Sequence, residues 1–198
     1  MEDFLTVLSM QPKEVIDEIS HHGVYICDPH KIERDFGSEN DSFKPAYDWL
    51  VHKMEMMIGN KPENVQYPVW AWYASDWKNK RPDLRKNHYA LPGTTMYCIE
   101  CNIPVRDIVL HDYSEWHCVL NKFPSLLANS EEEYDKLYDE YQAMSRVEQN
   151  NAMVKSWENI FNITPFQNNF RENGRFVQAT FWELRDEYIQ NIKRFKAR

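Results

Sequence analysis

The segment 67–73 (YPVWAWY) constrains the fold most, because it concentrates aromatic side chains in seven consecutive residues. Aromatic and β-branched residues that follow a proline near the start, here Pro68, are typical of a β-strand. Side chains alternate along a strand, so we predict Trp70 and Trp72 on one face and Tyr73 on the other. The chain is therefore expected to build a sheet that includes this strand.

Length and composition narrow the class of protein. The 198 residues fit one domain of ordinary size, and we expect a single α+β domain over residues 1–198. An aromatic fraction of 14% argues against intrinsic disorder, because disordered chains lack bulky apolar groups. With only 5 glycines and neither GxGxxG nor a P-loop sequence, nucleotide binding through a glycine-rich phosphate loop is disfavoured.

The charge balance argues against a general binder of nucleic acid or of anionic membranes. Lysine and arginine total 23 against 31 acidic residues, which gives a formal net charge of −8. Both kinds of partner require a surplus of cations. A basic group near the C-terminus leaves nucleic-acid binding through a terminal helix as a lesser alternative. Its members are Lys193, Arg194, Lys196 and Arg198.

The sequence also carries expectations about location. The acidic N-terminus precedes no apolar run, and no stretch approaches the roughly 18–20 apolar residues that span a bilayer. We expect a soluble cytoplasmic protein without membrane contact. Its 4 cysteines are then expected to be reduced thiols.

Hydrophobic spacing predicts a mixed order of strands and helices, which favours an α+β fold with a mixed or antiparallel sheet flanked by helices. The predicted strands are 5–10, 24–27, 67–73, 95–103, 108–110 and 176–182. The predicted helices are 12–22 ending at Gly23, 43–58 ending at Gly59, 131–147 capped by Ser130, 154–162 and a terminal helix over 184–195.

Two segments contain residues that bind metals or act as nucleophiles. Cys98 and Cys101, with Cys118 downstream, allow a zinc or redox site, but positions three apart on a strand face opposite ways, which favours buried structural thiols. The segment 107–121 is dense in polar and aromatic groups after a strand end, where binding residues gather. The alternative is structural, with Asp112 capping the next turn, packed Trp116 and exposed histidines.

A loop after the aromatic strand carries two arginines. Arg81 and Arg85 flank Asp83, and a guanidinium matches the geometry of phosphate or carboxylate. The aromatic faces of Trp72 or Tyr73 nearby could stack on a ring. The alternative is a cluster of surface ion pairs of little energetic weight.

Polar groups on apolar strands are further candidates. Gln178 and Thr180 lie between aromatic residues of the last predicted strand, and Gln11 ends the first. When buried, such groups need hydrogen-bond partners, in a core network or in a ligand cleft. Glu183 is a candidate general base or ribose-binding carboxylate, or an acid that stabilises a helix N-terminus.

Several of these segments together carry a family resemblance. They are 6–12, 69–73, 81–85, 99–104 with 110 and 116–117, and 178–182. The chain resembles a bacterial domain-of-unknown-function family, number three-eight-four-one, over nearly its whole length, and WAWY and RPDLR are the most specific parts. The order of elements is also similar to that of small ADP-ribosyltransferase-like folds, which would imply NAD as the cofactor, although no His-Tyr-Glu or Arg-Ser-Glu set is evident.

The leading hypothesis is binding of a small anionic, nucleotide-like ligand. Arg81 and Arg85 would hold the anion, and Trp72 or Tyr73 would stack on a ring. Gln11 and Gln178 would fix polar edges, with Glu183 as the acid for ADP-ribosyltransferase-like chemistry. The alternative is a non-enzymatic protein-interaction module, since aromatic residues and arginine also dominate protein interfaces.

Overall fold

The computed structural model describes residues 3–30, 40–80, 83–85 and 90–198, with the backbone alone for 40–42. Its strands are β1 (Phe4–Gln11), β2 (Val24–Tyr25), β3 (Val69–Ser75), β4 (Thr95–Pro104), β5 (Val109–Asp112), β6 (Phe166–Gln167), β7 (Glu172–Asn173), β8 (Phe176–Phe181), β9 (Leu184–Arg185) and β10 (Ile189–Lys196). Its helices are α1 (Lys13–His22), α2 (Asn40–Ile58), α3 (Tyr113–Leu120), α4 (Glu131–Gln142) and α5 (Arg146–Ser156), and 3-10 turns span Val105–Asp107, Trp157–Phe161 and Asp186–Tyr188.

Among the described residues, the main sheet has six strands in the order β10-β4-β1-β3-β8-β5, and every neighbouring pair is antiparallel. Two small two-stranded sheets, β2 with β9 and β6 with β7, stand beside it. The helices flank this one open sheet, so the predicted α+β class is confirmed. The aromatic strand β3 lies in the interior of the sheet, between β1 and β8.

Helix α1 covers one face of the sheet. Its Val15 and Ile19 pack against Val7 of β1, Ile99 of β4 and Phe181 of β8 in one buried cluster. The helix ends as predicted, because Gly23 adopts φ 73° and donates its backbone N–H to the Ile19 carbonyl. We call this side of the sheet the α1 face.

The opposite face, which we call the α2 face, is covered over the β3, β8 and β5 strands. Leu50 and Met54 of α2 pack there with Trp116 of α3 and with Trp157 and Ile160 of the 3-10 turn that follows α5. All five side chains are at most 5% exposed. The two apolar clusters, one on each face, hold the sheet between layers of helix.

The C-terminal prediction is wrong: residues 184–195 form no helix. Leu184 and Arg185 pair with β2, a 3-10 turn follows, and β10 runs antiparallel to β4 as an edge strand. The apolar spacing that indicated a helix arises instead from three short segments with different partners. Glu183 therefore precedes the strand β9 and not a helix. The interpretation of Glu183 as an acid that stabilises a helix N-terminus is also wrong.

The strand β10 separates the basic residues near the C-terminus. Lys193 pairs with Cys98 while Arg194 pairs with Tyr97, and adjacent residues on a strand point to opposite faces. The cations of β10 are thus divided between the two faces instead of forming one basic helix surface. Exposed lysine and arginine on an edge strand also oppose unwanted pairing with another chain.

Buried cysteines are confirmed at both positions of the Cys-x-x-Cys motif. Cys101 lies in the α1-face cluster and is 0% exposed, whereas Cys98 lines a cavity on the α2 face. The two thiols point to opposite faces, as the strand prediction requires. No helix in the described ranges has both the length and the apolar character needed to cross a bilayer.

Candidate functional site

A continuous row of side chains crosses all six strands on the α2 face. Directly paired residues of antiparallel strands share a face, and the register links six positions in succession. The row, which we call the polar row, is Asn191, Glu100, Leu8, Trp72, Gln178 and His111. Neighbouring members are about 5 Å apart, the spacing between strands. Four of the six carry polar side chains, which is unusual for the inner surface of a sheet.

The β10 end of this row opens into a cavity of about 220 Å³. The floor includes Leu8, Glu100 and Asn191 from the row, and Lys193 lies beside them on β10. Asp83–Arg85, the described part of the predicted arginine loop, forms a wall. The tertiary structure thus brings this loop against the sheet, although the two are not adjacent in sequence.

Arg85 is engaged with a neighbour. Its Nε and Nη2 donate to the two carboxylate oxygens of Asp83 at 2.8 and 2.9 Å, and its backbone N–H donates to Asp83 Oδ1 at 3.1 Å. This ion pair raises the pKa of the guanidinium. The side chain is 75% exposed, so the pair adds little stability. An incoming anion would compete with Asp83 for the same donors.

Lys193 is a second cation at the cavity. Its strand position directs it to the same face as Cys98, which also lines the cavity. Within the described part of the chain, no carboxylate forms an ion pair with it. Lys193 is therefore better placed than Arg85 to receive an anion.

Trp72 and Gln178 are direct cross-strand partners in the middle of the polar row. Trp72 is half-buried, and its ring lies 5.2 Å from the ring of Tyr113 at the start of α3. The Gln178 side-chain oxygen is buried and accepts no hydrogen bond from the described residues. These two predicted site residues are brought together, 106 positions apart in sequence.

The β5 end of the row is buried. His111 is 0% exposed and lies edge-on to Trp70, with ring centroids 5.1 Å apart. Neither of its ring nitrogens has a hydrogen-bond partner among the described residues, and the same holds for Thr180 Oγ1 nearby. Desolvation lowers the pKa of His111 to about 3, so its imidazole is neutral at physiological pH.

Two predicted site residues lie on the other face. Gln11 donates to Ser9 Oγ at 2.8 Å, and Ser9 in turn donates to the Trp70 carbonyl at 2.8 Å. Tyr73 packs against the α1-face cluster. The sheet itself separates Gln11 and Tyr73 from Trp72 and Gln178.

Glu183 and Arg81 do not join the row either. Glu183 follows β8 and accepts from Arg185 Nε and Nη2 at 3.1 and 2.8 Å. Five residues of extended chain, about 16 Å, separate it from Gln178. It borders crevices beside Arg185, away from the cavity at β10. Arg81 lies outside the described residues.

The sequence did not indicate Glu100 or His111 individually as site residues, and it indicated Lys193 only as part of a basic group on a terminal helix. The alternation of β4 placed Glu100 and Cys98 on one face and was the available signal for Glu100. Lys193 was assigned to a helix, which obscured its face. His111 lies in the polar segment 107–121, and the sequence does not indicate which residues of that segment bind a ligand.

That polar segment has a clear structural organisation. Asp112 caps α3, as the structural alternative predicted. Its Oδ1 accepts from the backbone N–H groups of Ser114 at 2.8 Å and Glu115 at 3.1 Å. Its Oδ2 accepts from the backbone N–H of Gly174 at 2.7 Å. Trp116 is packed, as expected, whereas His111 is buried instead of exposed. Among the described residues, no group of three or more histidine, cysteine or acidic side chains is placed to hold a metal ion.

The chain belongs to the family described as domain of unknown function DUF3841, whose model matches residues 6–190. No curated protein matches the chain. No solved structure matches it either.

Proposed function

We propose that this DUF3841 protein binds a small anionic, nucleotide-like ligand on the uncovered part of the α2 face. The single observation that carries the proposal is the polar row, with a cavity at its open end and Lys193 at the cavity. Ligand sites are concave, with a few convergent polar groups on an otherwise apolar surface. The site combines these features on rigid strands.

The anionic group would bind in the cavity. Lys193 supplies a positive charge, and Arg85 supplies a second one if it exchanges Asp83 for the ligand. A cavity of about 220 Å³ is smaller than the 300–1,000 Å³ typical of whole-ligand pockets. It suits one part of a ligand, whose remainder would lie along the polar row.

The ring of the ligand would reach Trp72. Leu8 borders the cavity and is the direct neighbour of Trp72 on the adjacent strand. Two strand spacings, about 10 Å, separate Glu100 from Trp72, which is within the length of a mononucleotide. The half-buried indole offers a stacking surface. Gln178, whose buried side-chain oxygen accepts no hydrogen bond from the described residues, is its direct neighbour in the row.

The placement of Glu183 favours binding over group transfer. ADP-ribosyl transfer from NAD would need a carboxylate beside the bound ribose, but Glu183 is paired with Arg185 at the far end of β8. The described carboxylates that line the cavity are Glu100 and Asp83, and Asp83 is paired with Arg85. We therefore propose a binding role and assign no transfer step to Glu183.

The test is a titration with NAD, ADP, ATP and GMP, followed by tryptophan fluorescence and melting temperature. Hydrogen bonds to a charged group contribute about 1.5–3 kcal/mol, so Lys193→Gln is expected to weaken binding by about tenfold or more. Trp72→Phe should reduce both the affinity and the fluorescence response.

The matched control is Arg194→Gln, which removes the same charge from the next residue on the opposite face. We expect it to leave the dissociation constant unchanged. The proposal is refuted if no nucleotide changes either signal, or if the Lys193 and Arg194 variants weaken binding equally, since general electrostatic attraction would then explain the effect.

A protein-interaction role is the second candidate, and one observation favours it. Neither α4 nor α5 contains a buried residue, and Tyr138 and Val147 on these helices are 41% and 71% exposed. Helix α4 also carries six acidic residues against one lysine. A partner with a basic amphipathic helix would match this surface in both charge and hydrophobicity.

A lysine-rich amphipathic peptide tests the second candidate. We expect binding that weakens with salt and is lost in Asp139→Lys. Binding should not be lost in Glu63→Lys, which changes the net charge equally at an exposed turn outside α4 and α5. Equal loss in both variants, or no binding at low salt, would exclude this role for α4.

A further inference from the structure

A second concavity lies at the start of α3. It has a volume of about 400 Å³ and lies between the first turn of α3 and the β6–β7 hairpin. Ser114 and Glu115 line it from the helix, and Asn169, Phe170 and Arg171 line it from the hairpin. The described lining residues of this concavity and of the cavity at β10 do not overlap, so we treat it as a separate candidate site.

Several polar residues here have structural roles. Asp112 is fully occupied by three backbone N–H groups, as described above. Asn168 closes the hairpin turn by accepting from the backbone N–H of Phe170 and of Arg171, both at 2.8 Å. Asn173 donates to the carbonyls of residues 162 and 164. These contacts account for the three residues without a ligand.

Arg171 and Glu115 differ from these three residues, because hydrogen bonds among the described residues do not account for all of their polar groups. The guanidinium of Arg171 lies over the Phe166 ring at 4.5 Å, and its Nε is buried without a hydrogen-bond partner among the described residues. Glu115 accepts from Ser125 Oγ at 2.5 Å, and burial raises the pKa of its carboxyl. A buried N–H donor with no acceptor costs about 1–3 kcal/mol, so a group that accepted from Arg171 would be stabilised.

Aromatic rings form the rim of the concavity. Phe170 is 42% exposed, and its ring lies 6.0 Å from that of Tyr134 on α4. Tyr134 stacks on Tyr138, with centroids 6.0 Å apart and ring planes within 8°. The rim therefore presents a partly exposed aromatic surface beside a polar interior.

The chemistry of the lining limits the ligand. Of the three described lining carboxylates, Glu172 is paired with Arg175 and Asp112 accepts from three backbone N–H groups, which leaves the charges of Glu115 and Arg171 in balance and favours no simple anion. The guanidinium disfavours a simple cation. A neutral ligand with hydroxyl groups serves both sides, because a hydroxyl can accept from Arg171 and a neighbouring one can donate to Glu115.

We propose that this concavity binds a saccharide or another polyhydroxylated ligand. Its hydroxyl groups pair with the Arg171 guanidinium and the Glu115 carboxylate, and its C–H face rests on the ring of Phe170. This combination of directional polar contacts in a pocket and an apolar platform at its rim is what an uncharged, amphipathic ring requires.

The experiment uses the full chain and amide chemical-shift mapping by NMR. The probes are glucose, galactose, mannose, N-acetylglucosamine and their short β-linked oligomers, at millimolar concentrations. We expect shifts at residues 114–115 and 169–171 with at least one probe. Because the ligand is neutral, the dissociation constant should not change with salt.

Two variants and a control decide the assignment. Arg171→Gln is expected to weaken binding about tenfold, and Phe170→Ala to weaken it measurably. Phe123→Ala removes another exposed ring, 63% accessible, from outside the concavity and should have no effect on binding. The Phe170 variant keeps the test decisive if Arg171→Gln fails to fold.

The proposal is overturned if no saccharide shifts these amides. It is also overturned if the Phe123 variant weakens binding as much as the Phe170 variant does. Binding that disappears with added salt would identify an ionic ligand and would equally refute a neutral polyol.

Discussion

Buried His111 makes the protein sensitive to acid in a calculable way. In the folded state desolvation holds the pKa of His111 at about 3, whereas an unfolded histidine titrates near 6.5. Between these values the unfolded chain binds a proton that the folded chain does not. The contribution of His111 to stability is therefore fully present above pH 6.5 and is lost as the pH falls towards 3.

The loss of stability can be calculated from the thermodynamic linkage between proton binding and unfolding. Each pH unit in this window corresponds to about 1.4 kcal/mol, so at pH 4.5 the loss relative to neutral pH is about 2.7 kcal/mol. That is a large fraction of the 5–15 kcal/mol by which an ordinary domain is stable. His111 alone should thus make the chain markedly weaker in mild acid.

The perturbation is His111→Phe, which keeps a ring against Trp70 and removes both unpaired nitrogens. At pH 7 we expect a stability equal to or above that of the unmodified protein, because two unsatisfied buried atoms disappear. At pH 4.5 the variant should be more stable by at least about 2 kcal/mol.

Urea unfolding at pH 7 and pH 4.5, followed by circular dichroism, measures both values. Other ionisable groups, including Glu115, whose pKa is raised by burial, are common to both proteins and cancel in the comparison. The control is His52→Gln, because His52 is exposed on α2 and should leave the acid response unchanged. If His111→Phe loses as much stability in acid as the unmodified protein, the argument from burial is wrong.

Three further predictions concern local structure and are checked by chemical denaturation. Gly174→Ala should lower the free energy of unfolding by more than about 2 kcal/mol, because φ is +68° and an added Cβ would overlap the Ile163 carbonyl. Gly59→Ala should lower it by less, because φ is +90° there but the space around the Cβ position is open. Asp112→Ala should cost about 3 kcal/mol, because it leaves three backbone N–H groups without an acceptor. Ser145→Ala should remove a capping box and cost about 1 kcal/mol, with faster amide exchange confined to α5; exchange that spreads to the sheet would contradict a local role.

The strands that sequence analysis identified are those whose alternation is local. The strand 95–103 corresponds to β4, the aromatic segment to β3, and 176–182 to β8. Helix α1 was also predicted from the sequence, because Pro12 and Gly23 mark its ends. In these cases the local pattern and the tertiary contacts favour the same structure.

The C-terminal segment shows where local pattern fails. Apolar residues at 184, 188, 192 and 195 have helical spacing, yet β10 pairs with β4, about 90 residues earlier in the chain. A register irregularity between Ile189 and Asn191 shifts the alternation that would have indicated a strand. Hydrogen bonds to a distant strand outweigh a helix preference of a few tenths of a kcal/mol per residue.

The sequence by itself thus determined the α+β class, the aromatic strand, the two faces of β4 and the family. Only the tertiary structure decided which polar residues meet. The register pairs Trp72 with Gln178 and leaves Tyr73 and Gln11 on the other face. A shift of one residue in strand pairing exchanges the two faces of a sheet, and that register depends on long-range contacts that no local pattern contains.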